Sequence, residues 1–195
     1  MKKTIFILST FAFITTLILV ACTGGPKGVA SEQPISQDSL IKRGDYLVTT
    51  MGCDDCHSSK IMGPRGPEID LEHRFGVHLS TLPLGKIDPN VLKEGWILFG
   101  MAQTATFGPW GLSYAANISS DDTGIGKWTE QQFFIALRKG KFKGMENSRP
   151  LLPPMPWQGF AKLNDTDIKA IFAYLKSTKP VNNLVPSFVA LADIK

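Results

Sequence analysis

The chain has 195 residues, enough for one domain or two very small ones. Lys and Arg number 21 against 17 Asp and Glu, a net charge of +4 that falls to +2 if Lys2 and Lys3 leave with a cleaved leader. So balanced a chain gives no basis for nucleic-acid binding and none for strong steering by net charge.

Residues 1–21 read as an export signal. Lys2 and Lys3 form a charged start, Ile5 to Val20 an apolar run, and Ala21 a small residue before a cleavage point. A single N-terminal membrane helix is the alternative. Leu19-Val20-Ala21-Cys22 resembles the bacterial lipobox. That resemblance implies that Cys22 becomes the first mature residue and carries a diacylglycerol and an N-acyl chain such as palmitate. Several acyl chains anchor a protein to a membrane stably. Gly, Pro and Ser are frequent in the next stretch, so residues 22–37 read as a flexible tether. No second long apolar run occurs, and the remainder is expected to be a soluble domain in the periplasm or another extracytoplasmic space.

The domain is expected over residues 38–186, with 187–195 as a C-terminal tail. Leu40, Gly44, Leu47 and Met51, flanked by Ile41 and Val48, recur at helical spacing over 38–51, with Ser36 or Asp38 as cap. Gly44 costs such a helix about 1 kcal/mol against Ala, which makes sense where a second helix crosses closely.

Directly after it stands Gly52-Cys53-Asp54-Asp55-Cys56-His57. C-x-x-C-H is the c-type haem attachment signature. Thiols at this spacing reach the two vinyl groups of one porphyrin, and the adjoining histidine faces the iron. Cys53 and Cys56 are therefore expected as thioether attachment points and His57 as the proximal ligand of one covalent haem c. A zinc site would want a second compact cluster, and Cys22 is the sole further cysteine. A redox dithiol would want a βαβ context, and none is visible.

The opposite iron ligand is sought among Met51, Met62, Met101, Met145, Met155, His73 and His78. Met51 lies too close to the attachment turn. Met155 sits in Pro153-Pro154-Met155-Pro156, where the prolines fix an extended, stiff loop. A thioether is a weak ligand, and such a loop reduces the entropy lost in holding it. Met155 is the expected ligand; Met101 and Met145, then His73 and His78, are the alternatives. Methionine opposite histidine raises the reduction potential.

Residues 60–128 form a long insertion. Gly63-Pro64-Arg65-Gly66-Pro67 reads as an irregular loop, Asp88-Pro89 as the start of a short helix, and Gly108-Pro109-Trp110-Gly111 as a turn. Its aromatics, Trp96, Phe99, Phe107, Trp110 and Tyr114, are expected to pack on the domain as haem cover or docking surface. Residues 117–127 read as a loop; the spacing of its acidic pair, Asp121-Asp122, with Asn117 does not match an EF-hand, and a solvated turn is expected there in place of a calcium site. A third helix spans 130–139, with a Thr129/Gln132 capping box and Gly140 as stop. A fourth element, helix 164–179, has Asn164 as cap, the stripe Ile168, Ile171, Phe172, Leu175, and Pro180 as stop. Lys60, Arg65, Lys139, Lys141 and Lys143 are candidate charges around a docking face.

The order Arg43-Gly44-Asp45-Tyr46-Leu47, Cys53 to His57, Tyr114 to Ile118, Thr123 to Thr129, Phe133 to Gly140, Pro154-Met155-Pro156 and Leu163 to Leu175 resembles class I cytochromes c. In particular it resembles one haem domain of the multihaem cytochrome subunits of membrane-bound alcohol and gluconate dehydrogenases. The resemblance implies an all-α fold in which the first and last helices cross, with Gly44 and Leu47 set against Phe172 and Leu175. It also implies Met155 as distal ligand and Trp128 and Trp157 at the haem pocket. The function implied is electron transfer between a dehydrogenase or quinol-level donor and an acceptor such as an oxidase, not catalysis. A haem enzyme, such as a peroxidase, or a gas-sensing module with a displaceable distal ligand is the alternative.

Overall fold

A computed structural model describes residues 35–78 and 84–194. The expected signal, Cys22 and most of the tether lie outside these residues.

Helix α1 runs Gln37–Thr50. The Ser36 hydroxyl accepts the Ser39 amide at 3.2 Å, so Ser36 is the cap. Five residues form α2, Cys53–His57, and α3 follows at Glu130–Lys139 with the full capping box between Thr129 and Gln132. A single turn, Trp157–Phe160, is α4, and α5 is Asp165–Ser177. Asn164 Oδ1 accepts the Asp167 amide at 2.7 Å to start α5.

Gly44, Leu47 and Val48 of α1 and Ile168, Ala170, Ile171 and Leu175 of α5 are buried. The two helices touch at Gly44, where a Cβ would lie 2.0 Å from the Ala170 carbonyl oxygen and 2.6 Å from Tyr174 Cβ. The crossing is where the sequence suggests: Leu47, Phe172 and Leu175 share the main core, and at Gly44 itself the nearest neighbours are Ala170 and Tyr174. Ala170 is a small residue, and small-on-small is what lets two backbones come this near. Arg43 Nε donates to Asp167 Oδ1 at 2.9 Å across the pair. Around the crossing, Phe75, Ile125, Phe133 and Leu137 complete the main core.

An all-α fold is not what the chain forms. Among the described residues the helices are joined by two antiparallel sheets, so the architecture is mixed α and β. Strands β1 (Lys60–Gly63) and β2 (Gly66–Ile69) make a hairpin with Gly63 opposite Gly66. The segment read as an irregular loop is thus its two-residue turn, Pro64-Arg65. The second sheet has the order β3-β4-β5-β6, with β3 at Leu98–Phe99, β4 at Ala105–Gly108, β5 at Gly111–Tyr114 and β6 at Val189–Ala190. Ala105, Phe107 and Leu112 form a second, smaller buried cluster on it. The insertion therefore folds as sheet because its own apolar residues need a partner surface, and Pro109-Trp110 returns β4 onto β5. Residues 189–190, from the stretch read as a tail, pair with Gly111 and Leu112. Among the described residues no helix is long and apolar enough to cross a membrane.

Residues 117–127 form the expected loop, with Asp122 exposed on it, but its start is tied into the core. Asn117 and Ser119 are buried. Asn117 Nδ2 donates to the carbonyls of Val181 and Asn183 at 2.9 and 3.2 Å and to Thr123 Oγ1 at 3.1 Å. Its Oδ1 accepts from the Ser119 amide and hydroxyl. One amide side chain thereby ties the chain after α5 back to the segment before α3.

Candidate haem-attachment site

Gly52, at φ 70°, turns the chain out of α1 and directly into α2. On that single turn Cys53 and Cys56 are half-buried, while His57 is buried. Three positions are a little under one helical turn, so both thiols lie on one side of α2. Burial, with Asp54 adjoining, pushes the Cys53 thiol up to about 12. Burial raises Cys56 as well.

His57 Nδ1 is 2.7 Å from the carbonyl oxygen of Ala116. A carbonyl only accepts, so Nδ1 carries the proton and Nε2 keeps its lone pair. Burial lowers the pKa of His57 against the opposing pull of Ala116 and Asp54, which keeps the ring neutral. A ring held from behind by a backbone acceptor, with its other nitrogen presented as a donor pair, is the arrangement metal-ligating histidines use.

Two networks fix the turn that carries these groups. Lys60 Nζ donates to the carbonyls of Asp54 and Asp55 at 3.0 Å each, of Ser58 at 2.6 Å, and of Ala102 at 3.4 Å. It neutralises the carbonyl end of α2, so Lys60 is a cap of the attachment turn and not a docking charge. On the other side Asp54, 6% exposed, accepts from Ser58 Oγ at 2.7 Å and from Arg74 through Nε at 2.9 Å and Nη2 at 2.7 Å. Burial alone would raise the Asp54 pKa; the Arg74 and Ser58 hydrogen bonds outweigh it and hold the carboxyl below its usual range. The Ser58 hydroxyl in turn accepts the Phe75 amide at 3.0 Å.

Met155 comes from the loop before α4. It is half-buried and packs on the main core, as do Cys53, Ile118, Trp128 and Phe160. Its loop is held at both ends. Ser113 Oγ on β5 donates to the Pro153 carbonyl at 2.9 Å. Trp157 at the start of α4 lies on Gly140, where a Cβ would be 2.3 Å from the indole; Gly140 also has φ 60° as the end of α3. Trp157 is thus a brace for the methionine loop.

The other candidate ligands are placed differently. Met62, Met101 and Met145 are 68%, 82% and 50% exposed. Met51 is the C-cap of α1, immediately before the attachment turn. His73 Nδ1 is bonded to Asp70 at 2.6 Å, and His78 Nδ1 lies 3.1 Å from Thr104 Oγ1 beside the Tyr114 ring. Of the proposed docking charges, Lys139 pairs with Glu146 at 2.5 Å and Lys141 reaches the Ser148 carbonyl at 3.3 Å. The insertion's aromatics divide: Phe107 is buried in the sheet, whereas Trp96 just before β3 and Phe99 within it are 67% and 52% exposed.

Arg74 and the Ala116 carbonyl escaped the sequence reading. A backbone acceptor has no residue signature, and the Asp54–Arg74 pair spans twenty positions with no regular spacing.

The donor set fits covalent haem: two thiols on one face of one turn, an oriented imidazole nitrogen beside them, and a half-buried thioether held on the same core. No protein-family model matches the chain. Its relatives include the cytochrome c subunit of gluconate 2-dehydrogenase from Pantoea cypripedii, 31% identical over 81% of this chain. The cytochrome c subunit of alcohol dehydrogenase (quinone) from Gluconobacter oxydans is 28% identical over 75%, and the fructose dehydrogenase cytochrome subunit from Gluconobacter japonicus 28% over 87%. The chain spans 27%, 23% and 28% of the lengths of these three relatives. It is therefore a homologue, over most of its length, of dehydrogenase cytochrome c subunits. Those relatives are the cytochrome subunits of their complexes and not the catalytic ones.

Proposed function

We propose that this chain is a monohaem c-type cytochrome that passes single electrons from an extracytoplasmic or membrane dehydrogenase, or a quinol-oxidising donor, to a terminal acceptor such as an oxidase. Haem, when bound, supplies the one-electron ferrous–ferric couple. Cys53 and Cys56 would hold it by thioether bonds, and His57, through Nε2, and Met155 would be its iron ligands. The observation that carries this reading is the His57 Nδ1–Ala116 hydrogen bond on the C-x-x-C-H turn, which leaves Nε2 as a ready donor. Burial favours Met155 over Met62, Met101 and Met145, because water competes less for a weak ligand that is half-buried on the core.

Lys60, on three carbonyls of the turn, holds its backbone, which would limit the reorganisation that electron transfer requires. Kinship with dehydrogenase cytochrome subunits supports a dehydrogenase as donor. The lipobox-like Leu19 to Cys22 supports export and a lipid anchor on Cys22. A tether of residues 23–36 would extend at most about 50 Å, so the domain would stay close to its membrane.

Intact mass of the purified mature protein tests the cofactor assignment. One haem per chain, lost in Cys53→Ala/Cys56→Ala, is expected; no bound haem, or a second one, would refute it. For the anchor, Cys22→Ser should move the protein from the membrane fraction to the soluble one. A variant that stays membrane-bound removes the lipid reading and leaves the cytochrome reading intact.

A further inference from the structure

Asp54 lies inside the attachment turn, between Cys53 and Cys56, and its carboxylate is buried. A buried charge next to a redox centre acts on it through a low dielectric, so its compensation matters more than that of a surface charge. The cation that touches it is Arg74, which grips both carboxylate oxygens as a fork, the strongest form of such a pair, while Lys60, on the Asp54 backbone carbonyl, adds a second positive charge nearby. Arg74 is itself fixed on two further sides. Its Nη1 donates to the Tyr174 hydroxyl at 2.9 Å, and its guanidinium carbon lies 4.5 Å from the Phe75 ring centre. Tyr174 is the residue of α5 that packs on Gly44. The charge balance of the attachment turn is thereby anchored to the α1–α5 crossing.

We propose that Arg74 is a positioning residue that acts through Asp54 to hold the attachment turn electrically neutral, and so keeps the reduction potential of the haem high. The inference rests on the haem reading above. Backbone geometry and charge are separable at this turn. Lys60 already binds three carbonyls of its residues, and Ser58 bonds both Asp54 and Phe75. Loss of the Arg74 charge would leave that framework in place but expose the iron to an uncompensated carboxylate, which favours the ferric form. Loss of the Asp54 charge leaves an unpaired guanidinium, which favours the ferrous form.

The test is a cycle of midpoint potentials on the holo-protein, with urea unfolding of the same samples. Arg74→Gln should shift the potential down and Asp54→Asn should shift it up. The double variant should return towards wild type, and Arg74→Lys should stay near wild type in potential while losing stability. Shifts of the two single variants in the same direction, or no shift alongside lost stability, would make the pair a brace only and overturn the proposal. If Arg74→Gln does not fold, Asp54→Asn against Arg74→Lys decides: an unchanged Asp54→Asn potential is equally fatal. A wild-type protein without covalent haem overturns the underlying haem reading too, whereas haem-loaded variants with the wrong signs sink this proposal alone.

Discussion

Replacing Gly44 by alanine should destabilise the protein, although the same change in an isolated helix would stabilise it. Helix propensity favours the alanine by about 1 kcal/mol. Against that, the new methyl would sit 2.0 Å from the Ala170 carbonyl oxygen and 2.6 Å from Tyr174 Cβ. Real contacts need a further ångström or so, and a backbone carbonyl cannot rotate away. Relief requires α5 to move off α1, through a core in which Val48, Ile168 and Ala170 are wholly buried. Overpacking of this kind costs about 1–3 kcal/mol, and with backbone as the obstacle the upper end applies. The net loss is about 2 kcal/mol, which at a typical urea dependence of about 2 kcal/mol/M lowers the midpoint by about 1 M. Gly159 is the internal control: it lies in α4, and a Cβ added there would meet nothing within 4 Å. Gly159→Ala should raise stability by about 0.5–1 kcal/mol through the unfolded chain. The assay is urea unfolding of both holo-variants followed by far-ultraviolet circular dichroism. An unchanged or raised midpoint for Gly44→Ala would refute the close crossing.

Ser113→Ala should loosen the methionine loop, because its hydroxyl both donates to the Pro153 carbonyl and accepts from Trp110 Nε1 at 3.0 Å. Losing about 1 kcal/mol there should raise the affinity of added imidazole for the iron about fivefold, read by optical titration; an unchanged affinity would detach the loop from the ligand. Thr129→Ala removes the hydroxyl that accepts the Gln132 amide at 3.2 Å and should cost about 1 kcal/mol, or about 2–4 °C in melting temperature. The potential of that variant should not move, since Thr129 is an exposed, uncharged residue whose hydroxyl serves the cap of α3.

The helices were legible because their signals are local. Ser36, Thr129 and Asn164 each cap within three residues of the amide they satisfy, and Gly44 and Gly140 mark a crossing and a stop. The attachment turn was legible for the same reason, since its five residues are contiguous. The sheets were not. Their strands are two to four residues long, too short to display alternation, and β6 pairs Ala190 with Gly111, 79 positions earlier in the chain. A family resemblance that implies helices gave no warning of strands lodged in the insertion. Lys60 illustrates a different limit. From sequence it is one more lysine, and its capping role depends on where four carbonyl oxygens point. Asp54 likewise looks like a solvated residue of a turn until Arg74 is found over it.

Optical spectra of the purified protein, ferric and ferrous, with and without carbon monoxide, test the central claim most directly. The account predicts the weak red-edge band of methionine-ligated ferric haem, lost in Met155→Ala, and a ferrous spectrum that carbon monoxide leaves unchanged. A missing methionine band with ready carbon monoxide binding would contradict it, and would turn the protein from a closed electron carrier into a haem enzyme or gas-binding module.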